Sequence, residues 1–173
     1  MDSSLGLESG VVRVVPYDPQ WPALFRAESS RIGLALVPLS LELDHTGSTA
    51  VPGLAAKPVL DILAGYVDAS LLPDLIAGLQ SAGYEHRGNQ GIPERQFFRR
   101  GHPRSYHVHL TQVGSQFWRD HQMFRDRLRE HAALRQAYAA LKRELAARHP
   151  RDREAYIEGK GSFVRDVLSR GEA

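Results

Sequence analysis

The sequence predicts an α+β fold: a small mixed β-sheet with helices on one face and a C-terminal helical block. Three observations predict it. Two short apolar runs, 39–43 and 59–63, flank a stretch rich in Gly, Pro, Thr and Ser. Further β-type runs lie within 84–112. Beyond Ser115 the chain changes to three long helical patterns rich in Arg. The order is helix, strand, strand, helix, strands, then a run of helices, which suits a layered α+β arrangement. Too few strand–helix–strand units fit for a doubly wound sheet.

Taken in order, residues 11–15 form a β-type run ended by Pro16. Asp18-Pro19 reads as an N-cap and first helical residue. Trp21, Leu24, Phe25, Ile32, Leu36 and Val37 recur at helical spacing over about 20–37, and Pro38 ends that helix. Residues 41–45 and 59–65 are the first two strands. Ser70 caps a second helix with Pro73 in its first turn. Leu72, Leu75, Ile76 and Leu79 share its core face, and Gly83 stops it. A short strand at 84–87, a Gly-rich loop at 88–93, a strand at 95–100 and a turn at 101–104 follow. Residues 106–112 are a strand with a His-Val-His-Leu alternation. Helices are expected over about 115–130, 132–148 and 152–169, with Pro150 between the last two and Asp152 as a cap. There are no repeats or low-complexity segments.

At 173 residues the chain fits one domain, or one domain with a helical extension. It has no cysteine, which excludes disulfides, thiolate zinc sites and a cysteine nucleophile. No apolar run approaches the ~20 residues of a membrane helix. The first ten residues carry acids and no apolar h-region, unlike a signal peptide. The expectation is a cytoplasmic protein without membrane contact. The net charge of +2 hides an asymmetry: residues 1–80 hold 4 Lys/Arg against 9 Asp/Glu, whereas 81–173 hold 18 against 11. An acidic first part and a basic second part could meet across a cleft that binds an anion. The alternative is that the arginines simply solvate helices.

Chemistry concentrates at 45–62. A strand, a tight Gly47-Ser48 turn and a second strand carrying Asp61 form a candidate site for a phosphate and a metal. Backbone N–H groups of such a turn, with Thr49, can converge on phosphate oxygens, and Asp61 could hold the accompanying cation. On a strand Asp61 shares a face with Val59 and Leu63, and an acid so flanked is costly to bury unless paired or metal-bound. An ion pair with Lys57 or an Arg would satisfy it equally. His107 and His109, two apart on a strand, point the same way and suit two ligands on one metal. They gain weight if their strand lies beside that of Asp61. His45 could bind phosphate or anchor the turn. Lys57 could neutralise phosphate. Alternation puts Arg95 and Arg99 on one face and Arg100 on the other, so not all three reach one cleft. Arg125, Arg129, Tyr138, Lys142, Tyr156 and Lys160 recur at helical spacings, either walling a nucleotide pocket or serving as core tyrosines with solvated bases. The P-loop and nucleophile-elbow patterns are absent.

Several segments resemble the GrpB-like protein family. They are Val14-Val15-Pro16-Tyr17-Asp18-Pro19-Gln20-Trp21, the whole run from His45-Thr46-Gly47-Ser48-Thr49 to Lys57-Pro58-Val59-Leu60-Asp61-Ile62, and His107-Val108-His109-Leu110. Phe124-Arg125-Asp126-Arg127-Leu128-Arg129, Tyr138 to Lys142 and Tyr156 to Lys160 continue the match over about residues 12–169. The resemblance implies one domain over 1–173, with a mixed part at 1–114 and a helical part at 115–173. It implies a nucleotidyltransferase-like fold of the polymerase-β-type superfamily, and kinship with domains fused behind dephospho-coenzyme A kinase. The superfamily pattern is a Gly-Ser turn, two acids one residue apart on a strand, and a third acid on a later strand. Gly47-Ser48 and Asp61 match. Leu63 stands at the second acid position, and His107 and His109 stand in place of the third acid. Histidine ligands favour manganese or zinc over magnesium.

The expectation is a metal-dependent, nucleotidyltransferase-like enzyme acting on a nucleotide or related phosphorylated small molecule. Asp61 and Arg95 would be catalytic. His45, Gly47, Ser48, Thr49, Lys57, Arg125, Lys142 and Lys160 would bind phosphate or substrate. Asp61, His107 and His109 would hold a divalent metal (Mg, Mn or Zn). The alternative is a non-catalytic nucleotide- or coenzyme-binding module, or a partner of a coenzyme A pathway enzyme, which the missing second acid favours. A nucleic-acid role would rest only on the basic C-terminal half.

Overall fold

The computed structural model of the chain describes residues 5–170, so Met1 to Ser4 of the N-terminal segment lie outside the described residues. Helix α1 (Trp21–Leu36) precedes β1 (Glu42–Thr46) and β2 (Leu60–Tyr66). Then come α2 (Leu72–Ser81), β3 (Glu85–His86), β4 (Gln96–Arg100) and β5 (Tyr106–Gln112). Helices α3 (Gln116–Glu130), α4 (Ala132–Arg148) and α5 (Arg153–Ser169) end the chain. The five strands form one sheet in the order β1-β2-β5-β4-β3, with β2 and β5 parallel and every other pair antiparallel.

The strand period of two divides the chemistry. On one face Ile62, Ala64, Phe98, Val108 and Leu110 are buried against Ile32 and Leu36 of α1 and Leu75 and Leu79 of α2. Asp61, Leu63, His107 and His109 project from the other. There Leu63 packs with Phe117 and Trp118 of α3. The helical block therefore covers the second face of the sheet, and the loop between β1 and β2 is gripped between sheet and block through Val51, Leu54, Leu128 and Tyr138.

Helix ends follow local chemistry. Ser115 Oγ accepts from Trp118 N at 3.1 Å, and Asp152 Oδ1 accepts from Ala155 N at 3.0 Å. Three expectations change. Among the described residues the 11–15 run makes a single isolated bridge, from Val15 to Ala56, and Val12 is buried with Leu145 and Tyr156 instead of joining the sheet. Asp18 closes a turn by accepting from Gln20 N, so α1 begins at Trp21 with Pro22 in its first turn. Asp68, not Ser70, is the cap before α2: it accepts from Ser70 N and sets a short 3-10 turn ahead of the helix. Among the described residues no helix is long and apolar enough to cross a membrane.

Candidate functional site

Register brings the candidate ligands together. Asp61 is opposite His107, and Leu63 opposite His109, in the parallel β2–β5 pair. Parallel neighbours on the same face therefore set one carboxylate between two imidazoles. Asp61 Oδ1 lies 3.1 Å from His107 Nδ1 and 3.0 Å from His109 Nε2. Ligand atoms of the three residues all lie within 4.8 Å of one another. Ligands about 2.1 Å from one ion and at right angles around it are ~3 Å apart, so the Asp61–His spacings suit a shared divalent ion. Burial by itself would raise the Asp61 carboxyl, but the hydrogen bonds from His107 and His109 outweigh it and hold it well below the ordinary carboxylate range. Burial pushes His107 down to about 4, against the pull of Asp61, so its imidazole is neutral at pH 7, the form a metal takes. The outer nitrogens, His107 Nε2 and His109 Nδ1, are buried without a hydrogen-bond partner among the described residues.

The Gly-Ser turn abuts this cluster. Gly47 has φ +70° and precedes a 3-10 turn over Ser48–Ala50. A cavity of about 470 Å³ opens above the turn and above Asp61. Thr46, Gly47, Ser48, Thr49 and Lys57 form one wall, and Arg95 and Phe97 the sheet side. Tyr138, Lys142, Arg153, Tyr156 and Lys160 come from the helical block. Thr46 Oγ1 is buried with no hydrogen-bond partner among the described residues. Lys142, 1% exposed, donates to Ser48 Oγ at 2.8 Å and to Ala55 O. Lys57 and Lys160 stand 5.1 and 4.5 Å from the Tyr156 ring centre. Burial lowers all three lysines. Lys57 falls to about 8; Lys160 to about 7, with Lys57 adding to it; and Lys142 to about 6, with Lys160 and Lys57 adding to it. Asp61 is the one acid lining the cavity among the described residues. The wall is thus short of negative charge, which a polyanionic ligand supplies.

Other residues singled out in the sequence lie elsewhere. His45 is buried, stacks on Phe25 and meets Thr49 Oγ1 at 2.9 Å, so it anchors the turn from behind and is outside the cavity wall. Arg125 is also off the wall: it donates to His45 O at 3.0 Å and pairs with Asp44 at 2.6 Å and Asp126 at 2.7 Å. Arg129 donates twice to Ala50 O. These two arginines pin the loop that carries the Gly-Ser turn. Arg95 borders the cavity, its guanidinium over Phe97 at 5.0 Å and bonded to Asn89 O at 3.0 Å. Arg99 pairs with Glu85, and Arg100 turns to Glu28 on the opposite face. Glu85, Arg99, Arg100 and Arg104 line a second cavity of about 630 Å³ near the β4–β5 turn.

His121 and Arg153 line the main cavity and were not singled out in the sequence. A signal for His121 exists: Phe117, His121, Phe124 and Leu128 form one helical stripe, with a histidine amid apolar residues. Burial lowers His121 to about 4, with His109 adding to it.

Comparison with known proteins agrees with this architecture. Residues 11–170 match a family model described as GrpB protein. A UPF0157 protein of Pseudomonas aeruginosa is 40% identical over 94% of this chain and 68% of its own length. The UPF0157 protein YqkA of Bacillus subtilis is 34% identical over 89% of this chain but 45% of its own, so the chain spans less than half of that relative. A dephospho-CoA kinase of Mycolicibacterium paratuberculosis is 30% identical over 92% of this chain and 46% of its own. Among solved structures, the conserved protein GrpB from Enterococcus faecalis aligns with a TM-score of 0.83 and 33% identity, over 91% of this chain and 96% of that one. The Cid1 poly(U) polymerase aligns with a TM-score of 0.56 and 14% identity over 78% of this chain and 44% of that one, a likeness of fold.

Proposed function

The chain belongs to the GrpB family, with a nucleotidyltransferase-like fold, and from that premise we propose that it binds a nucleotide or related phosphorylated small molecule with a divalent cation and catalyses nucleotidyl or phosphoryl transfer. One observation carries the reading: the Asp61–His107–His109 cluster and the Gly47-Ser48 turn share one lysine-lined cavity. The donor set, two imidazole nitrogens and a carboxylate oxygen, fits manganese or zinc better than magnesium. When bound, such an ion supplies charge stabilisation at a phosphoryl oxygen. Gly47, Ser48 and Thr49, with Lys57, Lys142 and Lys160, hold the phosphates, and Arg95 stabilises charge on the transferred group.

A thermal-shift panel of nucleotides and coenzyme A precursors, each with magnesium, manganese, zinc or no metal, tests this. The expected result is a cation-dependent rise in melting temperature for one nucleotide, abolished in Asp61→Asn. Ligand-induced shifts that ignore both the cation and Asp61→Asn would sink the metal-dependent reading.

A second reading, a binding module without catalysis, has its own support. Leu63 stands at the superfamily's second acid position, fully buried against Phe117 and Trp118. A carboxylate would be desolvated there. The similarity to a dephospho-CoA kinase over about half of that protein makes a coenzyme A pathway enzyme the protein partner to test under this reading. Tight cation-independent ligand binding with no turnover would favour it.

A further inference from the structure

We infer that His121 is a fourth metal ligand, completing with Asp61, His107 and His109 a site of three imidazoles and one carboxylate. The inference rests on the reading of that cluster as a divalent-cation site. His121 stands on α3 one turn beyond Phe117, and its Nδ1 lies 2.8 Å from Phe117 O. A carbonyl oxygen only accepts, so Nδ1 carries the proton and Nε2 keeps its lone pair. Among the described residues Nε2 makes no hydrogen bond, and the ring lines the cavity that holds Asp61, His107 and His109. A ligating imidazole typically donates its other ring N–H to a carbonyl or carboxylate, which fixes the tautomer and aims the ring. Among the described residues, His121 is the one of the three histidines with such an outer partner; the outer nitrogens of His107 and His109 have none there.

Ring spacing permits a shared ion. An imidazole nitrogen sits about 2.1 Å from its ion, which puts the ring centre a little over ~3 Å away, so two rings on one ion have centres no more than ~6.5 Å apart. The His107 and His109 centres are 6.3 Å apart, and those of His109 and His121 are 5.8 Å apart. Phe117 holds His121 in place at 3.9 Å between ring centres and also touches the His109 ring. His121 is outside the group whose ligand atoms all lie within 4.8 Å of one another. The proposed site therefore requires the His121 side chain to close on the ion when it binds. Three imidazoles with one carboxylate make a borderline donor set, suited to zinc, manganese or cobalt and poorly suited to magnesium.

The test uses Co²⁺ as probe on the full chain. Affinity is read by calorimetry and ligand geometry by the visible absorption of the bound ion, for wild type, His121→Asn and Asp61→Asn. Wild type should bind one Co²⁺. His121→Asn should lose about tenfold or more in affinity and change the visible spectrum, while its apo melting curve stays that of wild type. If His121→Asn does not fold, His121→Gln carries the same comparison. Should the His121 variant match wild type in affinity and spectrum while Asp61→Asn loses binding, the metal site stands and His121 is not in it. Should wild type bind neither Co²⁺, Mn²⁺ nor Zn²⁺, the underlying metal reading falls, and the inference with it.

Discussion

A Cβ built at position 47 would lie 2.8 Å from Asp61 Oδ2 and 3.2 Å from Asp61 Cβ. The backbone there has φ +70°, which L side chains rarely adopt. Both facts have one cause: the turn must pass so close to the β2 carboxylate that no side chain fits between them. Gly47→Ala should therefore cost ~1–3 kcal/mol of stability in urea unfolding, from backbone strain and the contact with Asp61. It should also displace Asp61 from His107 and His109, so calorimetric Mn²⁺ affinity should fall further than the stability loss explains. An alanine variant with wild-type stability and Mn²⁺ affinity would show that Asp61 does not depend on this turn. Much of this was legible in the sequence. Strand alternation put His107 and His109 on one side, and a Gly-Ser turn between two strands marked the neighbourhood of Asp61. Alternation within one strand cannot say which strand lies beside it, so the meeting with Asp61 needed the β2–β5 register. His45 and Arg125 show the opposite limit. Residue type allowed a phosphate role for each, but burial against Phe25 and ion pairing with Asp44 and Asp126 turn them to holding the loop.

One carboxylate joins three elements on the far face of the sheet. Glu28 of α1, 4% exposed, accepts from Arg31 Nη2 at 2.7 Å, from Arg100 Nη2 of β4 at 2.6 Å and from the Tyr84 hydroxyl just after α2. Arg31 also donates to Ala82 O at 2.8 Å, satisfying a carbonyl just past the end of α2. Burial alone would raise the Glu28 carboxyl, but the hydrogen bonds from Arg31, Arg100 and Tyr84 outweigh it and leave it below 4.5. A carboxylate lowered on folding contributes stability that is present above about pH 4.5 and lost as pH falls through the folded value. Glu28→Gln should thus flatten the acid limb of the stability curve and cost ~1–3 kcal/mol at pH 7, toward the low end because both arginines are partly exposed and screened. An unaltered acid limb in this variant, by urea titration at successive pH values, would assign acid loss to other carboxylates. The elements themselves were largely legible, since apolar periodicity, Pro and Gly stops placed every helix and most strands within a few residues. The ties between them were not. Glu28 sits 72 residues from Arg100, and helical periodicity sets Glu28 on the apolar stripe of α1 without naming the distant partners that satisfy its charge. Residues 11–15 read as a strand because β-branched residues suit any extended segment, and here Val12 packs on Leu145 and Tyr156 instead of pairing in the sheet.

The sheet and the helical block are joined around the candidate site by basic side chains reaching across to one loop. Arg125 holds His45 O, Arg129 holds Ala50 O, and Lys142 holds Ser48 Oγ and Ala55 O. The charge asymmetry of the sequence suggested an acidic part facing a basic one, whereas these bases bind carbonyl and hydroxyl oxygens of the loop. It could not tell Arg125 and Arg129, spent on the loop, from Lys142 and Lys160, which line the cavity (Lys142 while also holding the loop), because that depends on which turn of each helix faces the sheet. The cavity bases have a consequence for the whole molecule. Burial holds Lys57, Lys160 and Lys142 at about 8, 7 and 6, each below its ordinary value. Between pH 7 and 9 the unfolded chain therefore binds more protons than the folded one, and stability rises with pH across that window. The rise should reach ~1 kcal/mol or more, because a lysine that is neutral when folded and protonated when unfolded adds about 1.4 kcal/mol for each pH unit crossed. Lys160→Met should reduce it in urea titrations. A polyanion in the cavity reverses the cost of these charges and pulls the lysines back toward their protonated state. Inorganic tripolyphosphate binding at pH 8 should take up protons, seen as a calorimetric enthalpy that depends on the ionisation enthalpy of the buffer, with a smaller dependence in Lys160→Met. Binding whose enthalpy is the same in every buffer would mean that the anion does not reach these lysines and sits outside the cavity.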